Sequence, residues 1–171
     1  MSNPQRDHND EQVVHNTFPL KFTEHNFGAY CFNTITCKIA YAGLEDGEDG
    51  PSGAPAKGFL KSLYGGYVGI VNFPSPAVVT WQSLDGSTHE AIVDIGSIFK
   101  ERLVLHHVPL EKIPTDGIAV AAPGPDIILV VNDRTISVYM KAMVFLKNYR
   151  VPSNPNSDYI DEPILAYTHT Y

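Results

Sequence analysis

An all-β fold, an antiparallel β-sandwich with one or two short helical turns, is what this sequence predicts, and three observations carry it. Residues 126–148, DIILVVNDRTISVYMKAMVFLKN, are the longest nearly uninterrupted apolar tract, broken only at Asn132-Asp133, where a turn is tolerated. After that turn Ile136, Val138, Met140, Ala142, Val144 and Leu146 share one face at period two, the spacing of a strand. A second tract, AVVTWQSLDGSTHEAIVDI (77–95), has apolar runs on either side of Asp85-Gly86, a strong short-range hairpin signal. Thirteen Gly and thirteen Pro, with nine Tyr and eight Phe, complete the pattern of short strands and frequent turns. A helix over residues 138–147 is the rival reading of the first tract, since Met, Lys, Ala and Leu all favour it.

The remaining elements follow in order. Residues 1–16 are polar and aperiodic and are expected to trail as a flexible tail, leaving 17–171 as one domain. Phe18, Leu20 and Phe22 alternate around Pro19 and Lys21, the pattern of an edge strand. Residues 28–43, GAYCFNTITCKIAYAG, read as a hairpin turning at 33–36. Cys31 and Cys37 lie symmetrically about Thr34, so such a hairpin would set them opposite each other, within about 4.5–5.5 Å between Cα atoms and thus within disulfide reach. Two reduced thiols fit the sequence equally well. Residues 43–58, GLEDGEDGPSGAPAKG, lack an apolar anchor and read as a long exposed loop. A helical turn is expected at 59–64, a strand at 67–73 and a short helix or irregular crossover at 96–104. Residues 105–118 read as connection, and 164–171 as a final edge strand.

Composition narrows the function. A net charge of −7, with only 12 scattered Lys and Arg, argues against a nucleic-acid binder and against docking on an anionic membrane. No run reaches the roughly 18 apolar residues of a membrane span, so no membrane insertion is expected. The polar start MSNPQRDHNDEQ shows no secretory signal, which predicts the cytoplasm, or the periplasm if a leader has been removed.

The chemistry-bearing motifs are weak. His106 and His107 are adjacent, so on an extended segment they face opposite ways and cannot share a metal. The acidic cluster Glu45, Asp46, Glu48 and Asp49 does not have the spacing of a calcium loop. Ser97 follows Gly96 without the rest of a nucleophile elbow, and 65–69 (GGYVG) matches no phosphate-binding loop. Glu90 and Asp94 share a strand face with Ile92, and a two-residue Asp85-Gly86 loop would set Glu90 beside Trp81, where burial raises a carboxyl pKa. The solvated face is the commoner place for such a carboxylate. The sequence therefore predicts no enzyme, no cofactor and no metal.

What remains is an acidic, aromatic-rich β domain, the profile of a module that binds another protein. The expected partner-binding residues are Glu45, Asp46, Glu48 and Asp49, which would steer a basic surface, Trp81 as an anchor if it is not a core residue, and Asp133 and Arg134 at the tip of the central pair. AYCFNTITCKIAY, then a Gly/Pro-rich loop, then PAVVTWQSLDG and THEAIVDIGSIF, then NDRTISVYMKAM, is an order of features that resembles the small immunity proteins encoded beside type VI secretion effectors, especially those paired with lipases. The resemblance runs over residues 18–147 and implies a protein that binds and neutralises a cognate secreted toxin, many such proteins working in the periplasm behind a leader. It carries no functional residue across, because those proteins share no catalytic signature. A small-ligand or carbohydrate-binding β-sandwich with a concave face of Tyr and Trp is the alternative. A hydrolase would need His89, Glu90 and His106 to converge.

Overall fold

The computed structural model describes residues 15–171; residues 1–14, most of the expected tail, lie outside the described residues. The strands are β1 (Glu24–Phe32), β2 (Thr34–Tyr41), β3 (Leu44–Glu48), β4 (Tyr67–Val71), β5 (Ala77–Ser83), β6 (Thr88–Val93), β7 (Asp126–Asn132), β8 (Thr135–Lys141), β9 (Val144–Phe145), β10 (Tyr159–Ile160) and β11 (Pro163–Thr170). One α-helical turn, α1 (Ile95–Ile98), and 3-10 turns at Phe59–Ser62, Leu110–Lys112 and Pro155–Ser157 punctuate them. Five strands form a sheet in the order β11-β8-β7-β1-β4, four form a second in the order β3-β2-β5-β6, and β9 pairs with β10. The inner faces of the two larger sheets share one core, so the fold is an all-β sandwich.

The central tract is strand, not helix. β7 lies in the middle of the five-stranded sheet, and residues 127–131 are each 3% exposed or less. Burial on both faces explains why this run is continuously apolar instead of alternating. Its inner residues Ile127, Leu129 and Val131 join the main core, while Ile128 and Val130 are covered on the outside by Leu63, with Phe59 and Leu60 from the 3-10 turn. β8 alternates as expected, with Ile136, Val138 and Met140 fully buried.

The expected hairpin over residues 28–43 does not form. β1 is hydrogen-bonded to β4 on one side and, in parallel, to β7 on the other. β2 is taken up by β3 and β5. Neither strand has a free side for the other, so the chain crosses between sheets at Asn33, whose φ of 52° makes the bend. Asn and Asp tolerate this left-handed conformation better than other side chains. The bend is held by Asn33 Nδ2 donating to Asn132 Oδ1 at 2.9 Å and by Asn33 N donating to the Gly53 carbonyl at 3.0 Å.

Cys31 and Cys37 are joined as a disulfide across this bend, with Cα atoms 6.3 Å apart, linking the two sheets instead of the two arms of a hairpin. So short a closed loop limits the entropic gain. Reduction, or Cys31→Ser with Cys37→Ser, is expected to lower stability by about 2 kcal/mol. Guanidinium midpoints measured with and without reductant check this, and coincident midpoints would refute it.

Three smaller corrections follow from pairing. Residues 18–22 form no strand beyond a single bridge of Lys21 to Leu103; Leu20 and Phe22 instead plug into the core. His15 and Asn16, read as the end of the tail, are tied down, His15 bridging Asp116 and Asn16 donating to the carbonyls of Pro114, Thr115 and Gly117. The acidic part of the expected long loop is strand β3, on the edge of the four-stranded sheet.

Candidate functional site

The hairpin of β5 and β6 sets the register of the site. Val78 lies opposite Ile92, Thr80 opposite Glu90, and Trp81 opposite His89, one residue displaced from the pairing expected for a two-residue loop. Ser83 N donates to the Ser87 carbonyl and Gly86 adopts φ 85°, so the loop has three residues, 84–86, and ends in a left-handed glycine. This is the common alternative to the two-residue turn, and a one-residue change in register exchanges every cross-strand partner.

That register decides what faces solvent. Ala77, Val79 and Trp81 point inward with Ile39 and Tyr41 of β2 and Ala91 and Val93 of β6. On the outer face, cross-strand pairing aligns Glu45, Ala40, Val78 and Ile92 in one row across all four strands. The next row holds Gly47, Lys38, Thr80 and Glu90. Val78 is 40% and Ile92 69% exposed, so the first row is an open apolar strip with a carboxylate at its end. Lys38 pairs with Glu45 at 3.7 Å, an exposed contact of little energetic value.

Beside the strip, Pro74, Ser75 and Pro76 line, with residues 40–45 and Val78, an open concavity of about 630 Å³. Glu45, Asp46 and Glu48 lie on β3, and Asp49 directly follows. Every backbone group on the outer side of this edge strand lacks a strand partner among the described residues. Of the β3 carboxylates only Glu45 shares the outer face with the strip, since Asp46 and Glu48 lie opposite the inward Ile39 and Cys37 and point toward the other sheet. The arrangement therefore offers an edge carboxylate, an apolar strip and a hollow on one surface. The Pro-Ser-Pro wall and the exposure of Ile92 escaped the sequence reading. Val78, an apolar residue on the side of β5 otherwise held by Thr80 and Gln82, was their only signal.

The other expected partner residues lie elsewhere. Trp81 is 1% exposed, so it is a core anchor and offers no surface to a partner. Its Nε1 donates to the Asp133 carbonyl at 2.7 Å, and its ring stacks on His89 with centroids 4.8 Å apart. Asp133 is a joint between the sheets: its N–H donates to the Phe32 carbonyl at 3.0 Å and its Oδ1 accepts from Leu84 N at 3.0 Å. Arg134 is exposed at the same tip, beyond the Ser83 end of β5, whereas the apolar strip crosses the Val78 end.

The remaining candidate groups have structural partners. Ser83 Oγ donates to Asp85 Oδ1 at 2.6 Å and lies 2.9 Å from His89 Nε2, but Ser83 is fully buried, and the carboxylate engages the serine instead of orienting the histidine. These hydrogen bonds, first from Ser83 and then from Ser87, hold the exposed Asp85 carboxyl at a pKa of about 2. Asp94 caps α1 by accepting from Ser97 N at 3.1 Å and Ser97 Oγ at 2.7 Å, which also holds its carboxyl below the usual range. Glu90 is exposed and faces Thr80, so it does not touch the indole. His107 meets Glu162 at 3.0 Å, while His106 Nδ1 accepts from Val108 N at 3.1 Å. No group of three or more His, Cys, Asp or Glu side chains is placed to hold a metal among the described residues. No helix among them is long and apolar enough to cross a membrane.

Behind the site, His25 is fully buried between Asn72 Oδ1, 2.6 Å from Nδ1, and the Tyr41 hydroxyl, 3.0 Å from Nε2. Burial lowers the His25 pKa, opposed by the Asn72 contact, and burial raises that of Tyr41, with the Asp94 charge adding to it. This network fixes the end of β2 that lines the hollow.

No family model, curated protein or solved structure matches the chain.

Proposed function

We propose that the chain is a non-enzymatic protein-binding module that takes a basic partner on the outer face of its four-stranded sheet, and that this partner is a secreted bacterial toxin which it neutralises. The observation that carries the reading is the continuity of Glu45, on the edge strand β3, with the open Ala40–Val78–Ile92 strip. Apolar area supplies affinity and the carboxylate supplies attraction and orientation, the division of labour expected of a specific interface. The resemblance to immunity proteins supplies the toxin as the class of partner. The Cys31–Cys37 disulfide favours an oxidising compartment such as the periplasm over the cytoplasm. A carbohydrate-binding role is less favoured, because the single tryptophan is in the core.

Co-expression with the products of neighbouring reading frames, followed by pull-down, tests for the partner. Glu45→Lys is expected to slow association severalfold and to weaken its dependence on salt. Ile92→Asp is expected to raise the dissociation rate. An unchanged rate constant in both variants refutes this face as the interface, and the absence of any binding neighbour product counts against the toxin.

A further inference from the structure

A second hollow lies among the segments that connect β6 to β7 and β9 to β10. Its walls are the 3-10 turn Leu110–Lys112 and residues 146–150, with Ile160 of β10 between them. The walls are built, not incidental. Lys147 N donates to the Lys112 carbonyl at 2.9 Å, Leu146 N to the Asp158 carbonyl at 2.7 Å, and Arg150 N to the Ser157 carbonyl at 2.9 Å. Ser157 is itself buried, accepting from Val151 N at 2.9 Å and donating to the Asn154 carbonyl at 2.7 Å, which holds residues 150–158 in place.

The lining divides by chemistry. Val108, Pro109, Leu146 and Ile160 give an apolar floor. Lys112, Arg150, Asn148 and Tyr149, all exposed, complete the lining with His107 beside them. Glu111 is the one carboxylate in the lining, and Glu162 reaches the lining His107 at 3.0 Å, so two carboxylates accompany Lys112 and Arg150. Neither cation has an ion-pair partner among the described residues, where the pairs are His15–Asp116, Lys38–Glu45 and His107–Glu162. In a chain of net charge −7, whose overall field repels anions, two cations without ion-pair partners here stand beside an apolar floor. The cavity, about 320 Å³, is at the small end of the range for ligand pockets.

We propose that this cavity binds a small organic carboxylate, its ring or short alkyl chain on Leu146 and Ile160 and its carboxylate between Arg150 and Lys112. Arg offers a planar two-donor edge that matches a carboxylate, and Lys adds a point charge. The site is independent of the β3 face and of whether that face binds a protein.

Titration calorimetry of the full chain with benzoate and with octanoate tests the proposal, with benzyl alcohol, octanol and inorganic phosphate as comparison probes at matched ionic strength. At least one carboxylate is expected to bind tenfold or more tighter than its alcohol and than phosphate. Arg150→Gln and Lys112→Gln are each expected to weaken it by about tenfold, and Lys38→Gln to leave it unchanged. Transferred nuclear Overhauser effects from ligand protons to the Leu146 and Ile160 side chains locate the bound molecule, so that a variant lost to misfolding does not decide the result. Equal binding of acid and alcohol, equal binding of phosphate, or effects confined to Lys38→Gln would each overturn the proposal.

Discussion

Trp81→Ala is expected to destabilise the protein by about 3–5 kcal/mol, the range for removing a large buried aromatic side chain. Three losses combine at this residue. The indole is 1% exposed and its removal leaves a cavity in the core shared by the two sheets. Its face stacks on His89 and its edge meets Tyr171, with ring centroids 5.2 Å apart. Its N–H is the donor to the Asp133 carbonyl, at the turn that also receives Leu84 N. Trp81→Phe separates the terms: it keeps much of the volume but leaves that carbonyl without the indole donor, a loss of about 1–3 kcal/mol. Denaturant unfolding of both variants checks the ordering. A Trp81→Ala loss below about 1 kcal/mol would mean that the indole is not the pin it is described as.

Acid is expected to loosen the same sandwich through His25. Burial lowers the folded-state pKa of His25, so below the ordinary value of about 6.5 the unfolded chain binds a proton that the folded chain resists. Stability from this group is complete above that value and falls as the pH drops through it towards the lowered folded pKa. The limiting slope for one proton is about 1.4 kcal/mol per pH unit. His106, whose pKa burial also lowers, acts in the same direction, so unfolding of His106→Asn isolates the His25 share. The expected result is a transition midpoint that declines between neutral pH and pH 5 in both proteins, and a His25 imidazole that stays neutral by nuclear magnetic resonance while free imidazole charges. A midpoint independent of pH over that range in His106→Asn would contradict the assignment.

What the sequence made legible was whatever depends on local periodicity. The alternation of β8, the buried run of β7, the existence of the β5–β6 hairpin and the final edge strand are each written in a few consecutive residues. What it concealed depends on partners far away in the chain. β1 and β2, two apolar strands around a short polar turn, carry the same pattern whether they pair with each other or part into separate sheets, and only the competition from β7 and β5 decides. The segment LEDGE has poor strand propensity and becomes β3 because β2 offers it a ladder. The acidic residues of the candidate site were visible as composition. The alignment of Glu45 with Val78 and Ile92 was not, because it rests on the distant pairings of β2 and on a hairpin register that differs by one residue between two common loop types.

The parallel pairing of β1 with β7 has a consequence for how the chain is made. Asn26 and Asp126 are joined across 100 positions of sequence, so the middle strand of the larger sheet is synthesised a hundred residues after β1. Until then one edge of β1 has no strand to pair with. Long-range strand pairing of this kind slows folding, because a large loop must close before its contacts contribute. The nascent chain therefore waits, one edge of its aromatic first strand unpaired, for a five-residue apolar run a hundred residues later.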